Sequence, residues 1–368
     1  MNREQNTVSI FGWIRRAARY DVLFLCSATV DEVWIRSTAQ AVRRLGLSAY
    51  LAVCDDGGEH RKKLVAFYSR LGIPAEFGLS FAEAARIRCR IAVTASSGLD
   101  RVIFPTRAPL FVHMPHSLAS LHMVYPAGAF DGYDILFAAG PHHTREFEAL
   151  VQARGLEGRS LFPVGYGKLD VMSRPDQVAR QDGRHVLIAP SWGPDNLLER
   201  CGLQVARAIA ERGFTVTVRP HPLFVLENAP IVSELKALSE REPRIRYESP
   251  LDGDHAIFEA DVMIGDYSGT SFEFAALRRR PVVSVNVGYK VANPDWESLG
   301  LTPMEIGGRR LIGPVVDPDV EAIAAAACDP AIQGIDEEGV SNFLYGSPGD
   351  CGPRAAAILM DLLTSGRA

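Results

Sequence analysis

Three short segments group histidine, arginine, hydroxyl and carboxylate side chains in patterns suited to phosphate esters. The first, Gly265-Asp266-Tyr267-Ser268-Gly269-Thr270-Ser271-Phe272-Glu273, follows the apolar run Val262-Met263-Ile264. A strand that ends in a small polar turn and opens a helix presents unpaired backbone N–H groups at the positive end of the helix dipole. Ser268, Gly269 and Thr270 allow close approach and add hydroxyl donors, which outlines an anion site. Glu273, about one turn further, is placed to accept hydrogen bonds from the two vicinal hydroxyls of a ribose. The alternative is an ordinary helix start capped by Ser268 or Thr270, with Glu273 completing a capping box and Asp266 in the turn. The strand-turn-helix context and the proline-led strand that follows, Arg280-Pro281-Val282-Val283, favour the ligand-binding reading.

The second segment is Arg219-Pro220-His221-Pro222, directly after the strand expected at 215–218. Two prolines stiffen the backbone around one histidine. From such a loop His221 can donate to a diphosphate or act as acid to a departing phosphate. Arg219 can pair with phosphate oxygens. The alternative is a turn whose histidine bonds locally. The third segment, Ala189-Pro190-Ser191-Trp192, also follows a strand and lines the same region. Its indole suits either a nucleobase or plain packing.

A fourth segment lies in the other half of the chain: His113-Met114-Pro115-His116-Ser117. A histidine here faces the second half, where a base for an acceptor hydroxyl belongs. His116 is the first choice and His113 the second, against the alternative of one structural and one exposed histidine. Pro115 between them and the lack of neighbouring carboxylates argue against a metal pair. Ser96-Ser97-Gly98 reads as a simple turn, and Arg278-Arg279-Arg280 as a cationic helix end.

These segments need elements to hold them. Apolar β-branched runs alternate with amphipathic stretches throughout. Strands are expected at 21–27, 49–54, 75–78, 91–94, 110–113 and 135–138, with helices at 31–45, 59–71, 81–88 and 142–154. The rhythm restarts with strands at 185–189, 215–219, 245–247, 262–265 and 281–285. Helices are expected at 197–212, 230–240, 269–277, 319–328 and 353–363. Such alternation predicts parallel sheets covered by helices. The fold class is α/β, with two doubly wound Rossmann-like domains facing a cleft. The domains are expected at 1–164 and 165–350, with a glycine- and proline-containing hinge at 162–182. Residues 351–368 form a last helix that can cross back to the first domain. Open parallel sheets bind ligands beyond the carboxyl ends of their strands, where all four segments fall.

Composition agrees. A chain of 368 residues is long for one α/β domain and suits two. A net charge of −5 argues against a basic face that coats nucleic acid, so no nucleic-acid partner is expected. The six cysteines form no C-x-x-C pair, which fits reduced thiols in the cytoplasm. No apolar stretch is long enough to span a membrane. The basic amphipathic segment at 10–20 fits a helix packed on its own domain, or peripheral contact with the inner face of the cell membrane. There is no G-x-S-x-G elbow, no P-loop and no G-x-G-x-x-G after the first strand. No D-x-D pair stands at the end of an expected strand, so neither a metal nor another cofactor is expected.

Taken in order, these residues resemble the CDP-glycerol glycerophosphotransferase family of teichoic acid and capsule synthesis. The family carries a tyrosine-proline-threonine-tryptophan-like loop, a K-x-H-P loop and a T-D-Y-S-S-x-x-F-D-x-A segment. Residues 189–192, 219–222 and 265–275 look like their counterparts. Gly165-Tyr166-Gly167-Lys168-Leu169-Asp170 is similar to a G-x-P-R-x-D motif, and the tail at 349–354 to a D-G-x-x-x-x-R ending. Gly269 replaces the second serine, Glu273 replaces the aspartate, and 113–117 only approximates W-H-G-T-P. The resemblance implies a GT-B type fold and transfer of glycerol phosphate, or a related polyol phosphate, from a CDP-activated donor. The acceptor would be a hydroxyl of a polymer or a lipid-linked molecule, with His116 as base. His221, Arg219 and the start of the 269–277 helix would meet the charge on departing CMP. Rival readings are a GT-B glycosyltransferase using a UDP- or other nucleotide-sugar, a sugar-nucleotide 2-epimerase, and a non-catalytic nucleotide-sugar-binding subunit.

Overall fold

Strands and helices alternate along the described residues, and the strands form two all-parallel sheets. The computed structural model describes residues 18–99, 110–172, 184–227, 229–250 and 254–366. The first sheet contains β1 (Arg19–Cys26), β2 (Ala49–Val53), β3 (Ala75–Phe77), β4 (Arg88–Thr94), β5 (Leu110–His113), β6 (Ile135–Ala138) and β7 (Ser160–Pro163), in the order β3-β2-β1-β4-β5-β6-β7. The second contains β8 (His185–Ile188), β9 (Thr215–Val218), β10 (Ile245–Tyr247), β11 (Val262–Gly265), β12 (Val282–Val285) and β13 (Val315–Val316), in the order β10-β9-β8-β11-β12-β13. Both are doubly wound, and each has a switch point where the strand order reverses, at β1/β4 and at β8/β11.

Burial explains the patterning. Val22, Leu23, Phe24, Leu25 and Cys26 of β1 are inaccessible on both faces, as a central parallel strand between helical layers must be. β7 and β13 depart from the expected list. β7 is an edge strand, only partly buried and closed by Pro163, and β13 has two residues, so neither carries a long apolar run. The stretch Arg19–Tyr20, expected to end a basic amphipathic segment, instead begins β1. The rest of that segment, 10–17, lies outside the described residues. Among the described residues no helix is long and apolar enough to cross a membrane.

Helices α1 (Glu32–Arg44), α2 (Arg61–Arg70) and α3 (Pro141–Arg154) cover the first sheet. Between the sheets lies the short helix α4 (Gly167–Met172), within the segment expected to be a hinge. Here the backbone passes close to its neighbours: a Cβ on Gly167 would lie 2.1 Å from the Trp34 carbonyl oxygen. In the second half, α5 (Leu203–Glu211), α6 (Pro222–Leu226), α7 (Gly269–Arg278) and α8 (Val320–Cys328) pack on the second sheet.

The last helix, α9 (Cys351–Thr364), packs on α1 of the first sheet, where Ala355, Leu359 and Leu363 share a core with Ile35, Ala39 and Val42. Asp170 of α4 fastens its start, accepting from the backbone N–H groups of Gly349 at 2.7 Å and Gly352 at 2.8 Å. These are donors that a helix cannot satisfy internally. Asp170→Ala leaves them unmet and is expected to cost about 1–3 kcal/mol. Urea denaturation checks this, and an unchanged midpoint would show that α9 docks without the clamp.

Beyond β5 the chain leaves the first sheet and crosses to the second half. Ser120 donates from N and Oγ to the buried Glu305 at 2.8 and 2.7 Å, and Asn293 Nδ2 donates to the His122 carbonyl at 2.9 Å. The ring Nε2 atoms of His142 and His143 hold the Leu118 and Ala119 carbonyls from below. This crossing fixes 113–118 against the strand ends of the second sheet.

Candidate functional site

His221 sits just beyond β9 as the N-cap of α6, and its Nδ1 accepts from the Leu223 backbone N–H at 3.3 Å. Proline at the first helical position leaves that cap geometry undisturbed. Because Nδ1 is the acceptor, the neutral ring carries its proton on Nε2. Burial, then the charges of Lys290, Arg219 and Lys168, push its pKa down to about 3. His221 is therefore a neutral donor inside a cationic surround, which is an arrangement awaiting negative charge. Trp192 packs beside it, ring centroids 6.1 Å apart, with its indole 46% exposed.

The start of α7 turns toward the first half. Ser268 is its N-cap, with Oγ accepting from the Thr270 N–H at 3.2 Å. The capping reading of Ser268 thus holds, and its hydroxyl proton is left to donate outward. Gly269 and Thr270 are partly exposed. A Cβ at Gly269 would come 3.0 Å from Ser117 Oγ, so the helix end faces the segment after β5 directly.

Three expected ligand contacts are engaged within the protein. Glu273, expected at a ribose, is only 4% exposed; its Oε1 accepts from the Tyr166 hydroxyl at 2.9 Å and its Oε2 from Lys168 Nζ at 2.7 Å. A carboxylate so buried requires partners, and the hinge supplies them. The Tyr166 hydroxyl also lies 3.1 Å from the His116 carbonyl and accepts from Trp34 Nε1 at 2.8 Å. Arg219, expected at phosphate, bonds Asp254 at 2.7 Å and lies 3.4 Å from Glu248. Asp266 is buried under the loop after β8, accepting from the N–H groups of Ser191 at 2.7 Å and Leu197 at 3.2 Å. Burial raises its pKa, against the lowering effect of those donors. Asp266 thus shapes the loop that carries the buried Ser191 and the exposed Trp192.

Across the cleft, His113 is 2% exposed among Phe130, Tyr133 and His116, and its Nε2 has no hydrogen-bond partner among the described residues. Burial holds it neutral, its pKa well below the usual histidine range. His116, also beside rings, is partly exposed, whereas His113 is buried. His116 packs between Trp34 and Tyr125, its Nδ1 also without a partner among the described residues, and burial pushes its pKa down to about 4. It is neutral at physiological pH. The arrangement therefore combines a neutral imidazole on one side with a neutral donor and a helix start on the other.

Sequence reasoning passed over Lys290, and it treated Tyr166 and Lys168 only as part of a hinge motif. Lys290 follows β12 and stacks on Trp192, 4.8 Å from the ring centroid. The strand-end rule pointed to that loop, but a lysine there has no distinctive spacing.

Residues 127–290 match the model of the family described as CDP-Glycerol:Poly(glycerophosphate) glycerophosphotransferase. That span holds Lys168, Ser191, Arg219, His221, the start of α7 and Glu273, and ends at Lys290; His113 and His116 precede it. No curated protein matches the chain in sequence. Among solved structures, a Listeria monocytogenes protein assigned as a UDP-N-acetylglucosamine 2-epimerase is similar at a TM-score of 0.58 and 12% identity, over 95% of this chain and 96% of that one. The Methanocaldococcus jannaschii UDP-GlcNAc 2-epimerase in complex with UDP-GlcNAc and UDP has a TM-score of 0.55 and 11% identity, over 94% and 100%. The Neisseria meningitidis UDP-GlcNAc 2-epimerase bound to UDP-GlcNAc has a TM-score of 0.55 and 12% identity, over 95% and 100%. At such identities the likeness concerns the fold, which is of the GT-B type: two parallel-sheet α/β domains across a cleft.

Proposed function

We propose that this chain transfers glycerol phosphate, or a related polyol phosphate, from a CDP-activated donor to a hydroxyl of a cell-surface polymer or lipid-linked acceptor. The observation that carries the reading is His221, a neutral Nε2–H donor ringed by cations, within the stretch that matches the glycerophosphotransferase family. The acceptor oxygen attacks the β-phosphorus of the donor. The new P–O bond forms as the bond to the bridging oxygen breaks, and CMP leaves with that electron pair. His116 takes the acceptor's proton. His221 Nε2–H, the hydroxyls of Ser268 and Thr270 and the N–H groups at the start of α7 meet the charge on the departing phosphate. Trp192 offers a face for the donor. Most of the acceleration is positioning and electrostatics, as phosphoryl transfer generally requires.

A thermal-shift screen tests it. A ligand that binds only the native state stabilises by about 2.7 kcal/mol at a hundredfold excess over Kd. For domains of this size that corresponds to roughly 5–10 °C in Tm. CDP-glycerol and CMP are expected to give shifts of this order, and UDP-sugars none. The opposite ranking would replace this reading with glycosyl transfer.

A further inference from the structure

Three cations press on His221, and they differ in one respect. Lys168 is paired with Glu273 at 2.7 Å, and Arg219 with Asp254 at 2.7 Å. Lys290 has no carboxylate within ion-pair distance among the described residues. It stands in a solvent-open recess between the loops that follow β8, β11 and β12, lined also by Ser191, Trp192, Asp266, Tyr267 and Tyr289. This recess spans the β8/β11 switch point, the place where open parallel sheets take ligands. Its walls are loops that meet at small residues. A Cβ at Gly288 would strike Asp195 at 2.9 Å, whereas one at Gly193 would clear Lys290 by 3.9 Å. The rim is aromatic and accessible, with Trp192 46% and Tyr289 53% exposed.

The acidic groups around Lys290 are already committed. Asp266 takes the Ser191 and Leu197 N–H groups, Asp195 lies 3.1 Å from Arg200, and Glu305 holds Ser120. Tyr267 is stacked under the Arg309 guanidinium. What fixes the ammonium is the indole face, a contact that holds a cation without neutralising it.

We propose that Lys290 is the phosphate-anchoring residue of the cleft: it binds a phosphoryl group of the donor in the recess beside Trp192, next to His221. This rests on the donor-binding reading given above and adds the residue that supplies the charge. Burial lowers the Lys290 pKa to about 8. The charged form that grips phosphate is therefore present at pH 7 and is lost as pH rises through about 8, a range in which His221, already neutral, does not titrate. Arginine at this position would hold its charge throughout.

Calorimetric titration of the full chain with CDP, cytidine and inorganic pyrophosphate tests the assignment on the wild type, Lys290→Met and Lys290→Arg. Methionine keeps the stem on Trp192, and circular dichroism confirms the fold. CDP and pyrophosphate are expected to bind Lys290→Met about 10- to 50-fold more weakly at pH 7, with cytidine unchanged. Wild-type affinity for CDP is expected to fall between pH 7 and 9.5, Lys290→Met to show no such fall, and Lys290→Arg to stay tight across the range. Equal CDP affinity in wild type and Lys290→Met overturns the assignment and leaves the donor site standing. Failure of every probe to bind the wild type overturns both.

Discussion

His221→Ala is expected to lower kcat by about 10²–10⁴ while the protein stays folded. The ring does two things, and the substitution separates them. Its Nδ1 caps α6, a contact whose loss costs about 1 kcal/mol. In the proposed reaction its Nε2–H meets the charge on the departing phosphate. The kinetic loss should far exceed the stability loss, because a short five-residue helix is cheap to loosen and a leaving-group donor is not. His221→Asn, which keeps a capping oxygen and an N–H donor, should recover the stability and part of the rate. The pH profile adds a second check. His221 and His116 are held neutral, with pKa values near 3 and 4. A depressed histidine pKa means that the neutral form persists far below the usual range. On the free-enzyme side kcat/KM should therefore stay flat from pH 7.5 to about 5 and fall only toward 4. Turnover by His221→Ala at the wild-type rate, or an acid limb at 6.5, would remove the ring from the chemistry.

Much of the fold was legible because parallel strands with helices on both faces are apolar throughout. Runs such as Val22–Cys26 and Val262–Gly265 cannot be mistaken for half-exposed strands. The edges were less legible: β7 is half exposed and β13 too short to have a pattern. The place of the candidate site was legible for a related reason: turns that follow buried parallel strands gather beyond the strand ends, and His221 and Trp192 come together there, 6.1 Å apart. What each side chain bonds to was not. Glu273 meets Lys168, 105 positions away, and Asp266 meets the Ser191 N–H, 75 positions away. Such pairs are decided by tertiary packing, against the hinge for Glu273 and between neighbouring loops of the second sheet for Asp266, which no local spacing encodes. Packing within the first half buried His113 among Phe130 and Tyr133 while leaving His116, three residues on, beside Trp34 and Tyr166.

Glu273, expected at a ribose or in a capping box, is bonded to the hinge. Its carboxylate ties α7 to the hinge through Tyr166 and Lys168, so Glu273→Ala strands a partly buried ammonium and a buried phenol. Breaking a buried pair by removing one partner costs 3–5 kcal/mol; with the Lys168 side chain 20% exposed, about 2–3 kcal/mol is expected here. The nucleotide affinity of Glu273→Ala is also expected to fall, but this single variant cannot say why, since a loosened hinge and a lost ribose contact both weaken binding. The pair Glu273→Gln with Lys168→Met separates them. Neutralising both partners removes the stranded charge and should return most of the stability, because an ion pair replaced by neutral groups of like volume is often close to neutral. If the carboxylate also receives ribose hydroxyls once the donor is bound, CDP-glycerol affinity stays low in the double variant although the fold has recovered. If affinity returns together with the urea midpoint, Glu273 acts on the donor only by holding α7 to the hinge.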